Sequence, residues 1–122
     1  MDRLPDLRLY RPVDLGAALQ LIAEPGARML AGGTDLLPNL RRGLERPAML
    51  PRSTSVAGFA EIAFDSDGLA IGAGVTLARL AADTRITGPY RAIAEAACEV
   101  AGPQHRHAAT VGGNLCLDAL WL

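Results

Sequence analysis

The stretch MLAGGTDLLPNL, Met29 to Leu40, runs a short apolar, strand-like piece into two adjacent glycines and then into a helix-like continuation. It reads as a β-turn-α element with glycines at the junction. Glycine has two physical uses at such a place. A turn that needs positive φ is satisfied by Gly32 or Gly33 without a Cβ penalty. Alternatively, a bulky anion approaches the backbone closely and is held by unpaired N–H groups at the helix start. On this stretch alone both readings stay open, because a short glycine motif is weak evidence.

The neighbouring sequence supplies the elements on either side. Pro12 to Glu24 reads as a helix capped by Asp14, with Leu15, Leu19 and Ile22 on one face and Pro25-Gly26 as its end. Arg28 to Ala31 reads as a buried strand, and Leu36 to Arg42 as a helix that carries Pro38 near its first turn, where proline is tolerated. Ala48 to Arg52 is the next expected strand. Glu61 to Asp65 and Leu69 to Ala73 follow as a pair around DSDG, in which Asp67-Gly68 is the hairpin signal. Thr76 opens a helix through Ala82. Gly88-Pro89 opens another, with Ile93, Ala96, Ala97 and Val100 at helical spacing before Gly102-Pro103. Ala109 to Val111 is expected as a short strand. A composition shift near Pro51 separates residues 1–52, a small α/β piece, from residues 53–122, a piece richer in antiparallel strands.

Composition narrows the possible functions. Half of the 122 residues are hydrophobic but only 4% are aromatic, so a core must come from Ala, Leu, Val and Ile. The formal net charge is −1 and no basic cluster exceeds Arg41-Arg42, which excludes the electrostatic footprint of a nucleic-acid binder. No apolar run approaches the roughly 18 residues of a membrane helix, and the start MDRLPDLRLYRP lacks the apolar region of a signal peptide. The expectation is a soluble, cytoplasmic protein with no membrane partner. Cys98 and Cys116 have neither zinc-site nor disulfide-framework spacing. Cys98 reads as a small core residue, whereas Cys116 sits beside a second glycine motif.

That motif, ATVGGNLC from Ala109 to Cys116, repeats the first junction 80 residues on: short strand, threonine, paired glycines, polar side chain. Two loops with exposed backbone donors can hold the two phosphates of a dinucleotide from opposite sides. Thr34, Thr110 and Asn114 would add side-chain donors. Other signals are weaker. GAGVTL at Gly72 has Leu77 where a dinucleotide fingerprint needs its third glycine. His105 and His107 lack an evident third metal ligand and read as surface loop residues. Glu61, Asp65 and Asp67 suit a solvated hairpin. No residue reads as a general base or nucleophile, and no metal site is expected.

AGGTDLLPNL followed at this distance by ATVGGNLC resembles the FAD-binding domain of molybdenum hydroxylases, the medium or flavin subunit of the xanthine and carbon monoxide dehydrogenase family. Within it, GGNLCLD is most similar to the β subunit of hydroxybenzoyl-CoA reductases. LYRPVDLGAALQLIAE resembles the family's opening strand and helix, and LAIGAGVTLARL its central strand and following helix, so the likeness runs over nearly the whole chain. One departure is His107, which stands after Arg106 where asparagine is usual.

The resemblance implies an α+β fold of the flavin-binding type. A small three-layer α/β subdomain would be followed by part of a mixed or antiparallel sheet with helices, the whole being the N-terminal part of an FAD-binding domain. It also implies that Leu30, Ala31, Gly32, Gly33, Thr34, Asp35 and Leu36, flanked by Met29, cradle the FAD pyrophosphate. Thr110, Val111, Gly112, Gly113 and Asn114 would make the second set of contacts. The function implied is the FAD-binding component of an oxidoreductase complex, with a molybdenum-cofactor subunit and an iron–sulfur subunit as partners. Family members continue for well over a hundred further residues, so the rival reading is a truncated remnant or interaction module that no longer binds FAD. The apolar ending, with Leu115, Leu117, Leu120, Trp121 and Leu122, is expected to need a covering layer.

Overall fold

The computed structural model describes residues 3–117, and its internal contacts gather into two compact units, residues 1–59 and 60–122. Both combine helices with short strands, so the fold class is α+β as expected.

In the first unit, β1 (Arg8–Tyr10) and β2 (Met49–Pro51) pair in parallel, with Leu9 opposite Leu50. The expected strand near Arg28 is extended chain on the other side of β2, joined to it by bridges at Ala27 and Leu30. Arg28 N–H donates to the Met49 carbonyl at 3.0 Å and Leu30 N–H to the Pro51 carbonyl at 2.8 Å. Pro51 has no N–H to return, so on this side it offers its carbonyl alone. Two helices connect the strands. α1 (Leu15–Ile22) begins at Asp14, whose Oδ1 accepts from Ala17 N–H at 2.7 Å; α2 (Leu36–Arg41) carries Pro38 in its first turn. Leu30, Leu40 and Leu50 form the buried core, with Leu7, Leu36 and Leu37 against it. Burying each of those three leucines is worth about 1.5–3 kcal/mol. That packing holds α2, since a six-residue helix is too short to persist alone.

Residues 53–57 bond back into this unit. Ser53 N–H donates to the Leu30 carbonyl at 2.8 Å, Ser55 Oγ to the Pro12 carbonyl at 2.6 Å and Ala57 N–H to the Val13 carbonyl at 2.9 Å.

In the second unit, β3 (Ile62–Asp65) and β4 (Gly68–Ile71) form an antiparallel hairpin. Its connecting residues are Ser66 and Asp67 rather than Asp67-Gly68. Gly68, with φ +140°, is instead the first residue of β4. Asp65 causes this placement, because its Oδ1 accepts from Asp67 N–H at 2.8 Å and Gly68 N–H at 3.1 Å, closing the turn one residue early. α3 (Leu77–Ala82) packs against α4 (Arg91–Glu99) and α5 (Pro103–Ala108). Ile62, Val75, Leu77, Leu80, Ile86, Ala97 and Ala109 make its core. The last helix is α6 (Val111–Leu115).

Further expectations are corrected. Ala109 to Val111 is not a strand: only Thr110 bridges, to Thr76, and Val111 already belongs to α6. His105 and His107 lie on α5, not in a loop. Cys98 is exposed rather than in the core. On α1 the buried residue is Ala18, while Leu15 and Leu19 are 52% and 57% exposed; on α4 it is Ala97, while Ile93 and Ala96 are exposed. The small side chains are buried because they let the helix approach its neighbours closely, and the larger ones turn outward. Of the apolar ending, Leu115 and Leu117 are exposed, and Leu120, Trp121 and Leu122 lie outside the described residues.

Ala101, between α4 and α5, has φ +47° and is thereby strained. Arg106 steadies it, donating from one guanidinium nitrogen to the Val100 carbonyl at 3.1 Å and the Ala101 carbonyl at 2.7 Å. Replacing Ala101 with Gly should raise stability by about 0.5–1 kcal/mol, the left-handed penalty less the added entropy of glycine. Urea unfolding measures this, and an unchanged midpoint would count against the strain.

Arg85 chelates Asp83 at 2.6 and 3.0 Å, and hydrogen bonding from its guanidinium draws the carboxyl down from the usual 3.8 to about 2. A folded-state pKa below the unfolded one stabilises the fold above about pH 4, and that stabilisation disappears as pH falls through about 2. The Asp83→Asn variant should accordingly show a flatter fall in melting temperature between pH 4 and pH 2 than the parent chain.

Candidate functional site

The first glycine junction begins at an anchored residue. Leu30 is buried, its N–H donates to Pro51, and its carbonyl accepts from both the N–H and the Oγ of Ser53. From there the chain leaves the strand pairing through Ala31, Gly32 and Gly33 and enters α2 after Asp35. Gly33 supplies the left-handed residue of the turn, with φ +74°, and Leu37 leans back over it: a Cβ on Gly33 would lie 2.8 Å from Leu37 Cδ1.

Backbone donors are concentrated in this loop. Among the described residues, the N–H groups of Ala31, Gly32, Gly33, Thr34, Asp35 and Leu36 donate to no protein acceptor; the pattern resumes only with Leu37 N–H, which reaches the Gly33 carbonyl at 3.3 Å. These residues are half-buried or exposed, and none of them belongs to the fully buried core. Asp35 does not cap α2 with its side chain, and its Oδ2 instead accepts from the Asn39 carboxamide at 3.2 Å. Met29 flanks the loop, half-buried on the strand side. Consecutive amides without partners, next to a glycine that keeps side-chain bulk away, suit the oxygens of a phosphate or pyrophosphate.

The second junction differs in chemistry despite its similar letters. Thr110 is buried to 1% exposure and its Oγ1 accepts from Gly113 N–H at 3.1 Å, so it works as the cap of α6. Val111 N–H donates to the Val75 carbonyl at 2.9 Å, Gly112 N–H to the Ala73 carbonyl at 2.8 Å and Asn114 N–H to the Thr110 carbonyl at 2.9 Å. Every backbone N–H from Val111 to Asn114 is therefore engaged within the protein. Neither Gly112 nor Gly113 has positive φ. Gly112 is required by proximity: a Cβ there would lie 2.8 Å from Ala73 Cβ and 3.0 Å from the Ala73 carbonyl oxygen. This loop can offer a ligand its glycine surface and the exposed Asn114 carboxamide.

The remaining signals are accounted for by structure. His107 Nδ1 lies 2.7 Å from the Pro103 carbonyl, a bond that requires the proton on Nδ1, and Arg106 holds the α4–α5 turn. Among the described residues no group of three or more His, Cys, Asp or Glu side chains is placed to hold a metal ion, and no helix is long and apolar enough to cross a membrane. Ala73 was not singled out by the sequence. The available signal was its place in GAGVTL, a motif set aside for its missing third glycine.

Residues 5–119 match the family described as the FAD binding domain in molybdopterin dehydrogenase. The chain is 37% identical over 112 residues to the xanthine dehydrogenase FAD-binding subunit of Escherichia coli O157:H7, covering 90% of this chain and 38% of that protein. Among solved structures, quinoline 2-oxidoreductase from Pseudomonas putida 86 matches with a TM-score of 0.88 and 31% identity, over 93% of this chain and 40% of its own. Carbon monoxide dehydrogenase from Hydrogenophaga pseudoflava matches with a TM-score of 0.88 and 27% identity over the same shares. The chain thus spans about two fifths of the length of these relatives.

The positive φ of Gly33 generates a graded expectation. Gly33→Ala should destabilise the chain by about 1–2 kcal/mol, whereas Gly33→Asn should lose roughly half as much, because asparagine visits the left-handed region more readily. Thermal or urea unfolding of both variants decides it, and equal losses would show that the Leu37 contact, not φ, sets the requirement.

Proposed function

The chain belongs to the family of FAD-binding domains of molybdopterin dehydrogenases, and from that membership we propose that it contributes the pyrophosphate-holding part of a flavin site in an oxidoreductase complex. The observation that carries this reading is the run of six backbone N–H groups, Ala31 to Leu36, without protein acceptors among the described residues. Such amides bind an anion without a charged side chain and without reorganising when it arrives. Gly32 and Gly33 keep the approach clear, and the Thr34 hydroxyl adds a donor beside them. On the second loop, Gly112 and Gly113 present a surface without side chains, and Asn114 offers a carboxamide that can donate and accept. Met29, Leu30 and the side chain of Leu36 work as apolar supports, and Thr110 and Val111 hold the second loop in place. FAD, when bound, supplies the redox chemistry, and the protein's part is binding and orientation.

By analogy with the relatives, the complex includes a molybdenum-cofactor subunit and an iron–sulfur subunit, and the flavin component passes electrons between iron–sulfur clusters and an external carrier.

Titrating FAD into the isotope-labelled chain and following backbone amide resonances tests the proposal. The expected result is that the amides of Ala31 to Leu36 shift with FAD and with inorganic pyrophosphate, while those of Val111 to Gly113, already bonded, move less. Absence of any shift in the first loop at millimolar FAD would favour a remnant that no longer holds the cofactor.

A further inference from the structure

GAGVTL carries no dinucleotide fingerprint, yet its chain runs alongside the second glycine junction. Leu77 N–H donates to the Ala109 carbonyl at 2.9 Å, Val111 N–H to Val75 and Gly112 N–H to Ala73, with Thr76 bridged to Thr110 between them. This is a short antiparallel ladder, and its last rung lies at Ala73 and Gly112. A Cβ on Gly112 would meet Ala73 Cβ at 2.8 Å, its carbonyl oxygen at 3.0 Å and its Cα at 3.2 Å. All three atoms are backbone or a methyl fixed to it, so no rotamer change relieves the contact. Ala73 itself is exposed and outside the core, so the closeness is not a by-product of core packing.

Val111 to Asn114 has every backbone donor engaged, and what remains for a ligand is the glycine surface and the Asn114 side chain. Where those lie is decided by where Gly112 rests against Ala73, since Gly112 sits in the first turn of α6 and Asn114 follows two residues later. We propose that Ala73 is a positioning residue for the flavin contact that the second glycine loop offers. Its carbonyl and methyl fix the first turn of α6 and thereby the Asn114 carboxamide. The ligand in this inference rests on the flavin reading above; the coupling of Ala73 to Asn114 does not.

The test uses the full 122-residue chain as parent, Gly112→Ala, Ala73→Gly, the double variant and Ala73→Val. Two readouts are taken: the Asn114 side-chain amide resonances without ligand, and the FAD dissociation constant of the folded fraction. Gly112→Ala should shift the Asn114 resonances and weaken FAD roughly ten- to a hundredfold, the scale on which a displaced group loses its contact. Adding Ala73→Gly removes the nearest of the three clashes and should recover part of both. Ala73→Val, at an exposed position, should shift Asn114 while leaving the melting temperature nearly unchanged, which keeps the test informative if Gly112→Ala does not fold. Asn114 resonances that stay put in Ala73→Val, or a double variant no better than Gly112→Ala, would overturn the proposal. If the parent binds no FAD but the Asn114 resonances still follow residue 73, the flavin reading fails and the coupling stands.

Discussion

The hydrogen bonds of Leu30, from its N–H to the Pro51 carbonyl and to its carbonyl from Ser53 N–H, are the last backbone rungs before the first glycine loop, and the loop depends on them. With its carbonyl taken by Ser53 and its side chain packed with Leu40 and Leu50, Leu30 cannot follow the chain as it turns away. Leu36 and Leu37, packed on the same cluster, fix the other end. Residues 31–35 are thus stretched between two anchored points, and their amides have no neighbouring strand or helical turn to bond. Buried, such a run would be heavily penalised; half-exposed, it can be served by water or by an anion. The unpaired amides come from the mismatch between a strand that ends and a helix that has not yet begun.

The second junction resolves the same problem differently. There the neighbouring chain at Ala73 and Val75 continues far enough to take the amides of Gly112 and Val111, and Thr110 takes that of Gly113. Two threonines that look equivalent in sequence therefore do different work. Thr110 is a buried cap, while Thr34 is half-buried beside a loop whose own helix has no side-chain cap. The first loop is left with unpaired backbone amides, and the second with a glycine surface and a single exposed carboxamide.

Much of this was legible in the sequence. The Pro25-Gly26 and Gly102-Pro103 pairs follow three residues after the last residues of α1 and α4, Asp14 and Thr76 cap α1 and α3 as expected, and both glycine junctions stand out. What could not be read was which helix face turns inward. Leu15 and Leu19 satisfy the apolar period of α1, yet Ala18 is buried, because the decision lies with the partner surface and not with the helix. The fate of the second junction's amides was illegible for a related reason: hydrogen-bond satisfaction is a property of neighbours distant in sequence, and GAGVTL gives no local hint that it will lie beside GGN. The hairpin moved by one residue because Asp65, outside the expected turn pair, supplied a side-chain acceptor.

Glycine is thus one letter with two physical reasons behind it. At Gly33 the requirement is a dihedral angle: φ is +74°, and the atom nearest to an added Cβ is the far end of a flexible leucine. At Gly112 the dihedral is ordinary and the requirement is space, because the atoms in the way are the Ala73 backbone and the methyl fixed to it. The first demand belongs to the residue and its immediate turn, and so is tied to the loop that carries the free amides. The second belongs to a pair of residues and ties the other loop to the ladder beneath it. A loop constrained by its own turn keeps its amides available, whereas a loop constrained by a neighbour surrenders them to that neighbour. The non-equivalence of the two motifs follows from that difference.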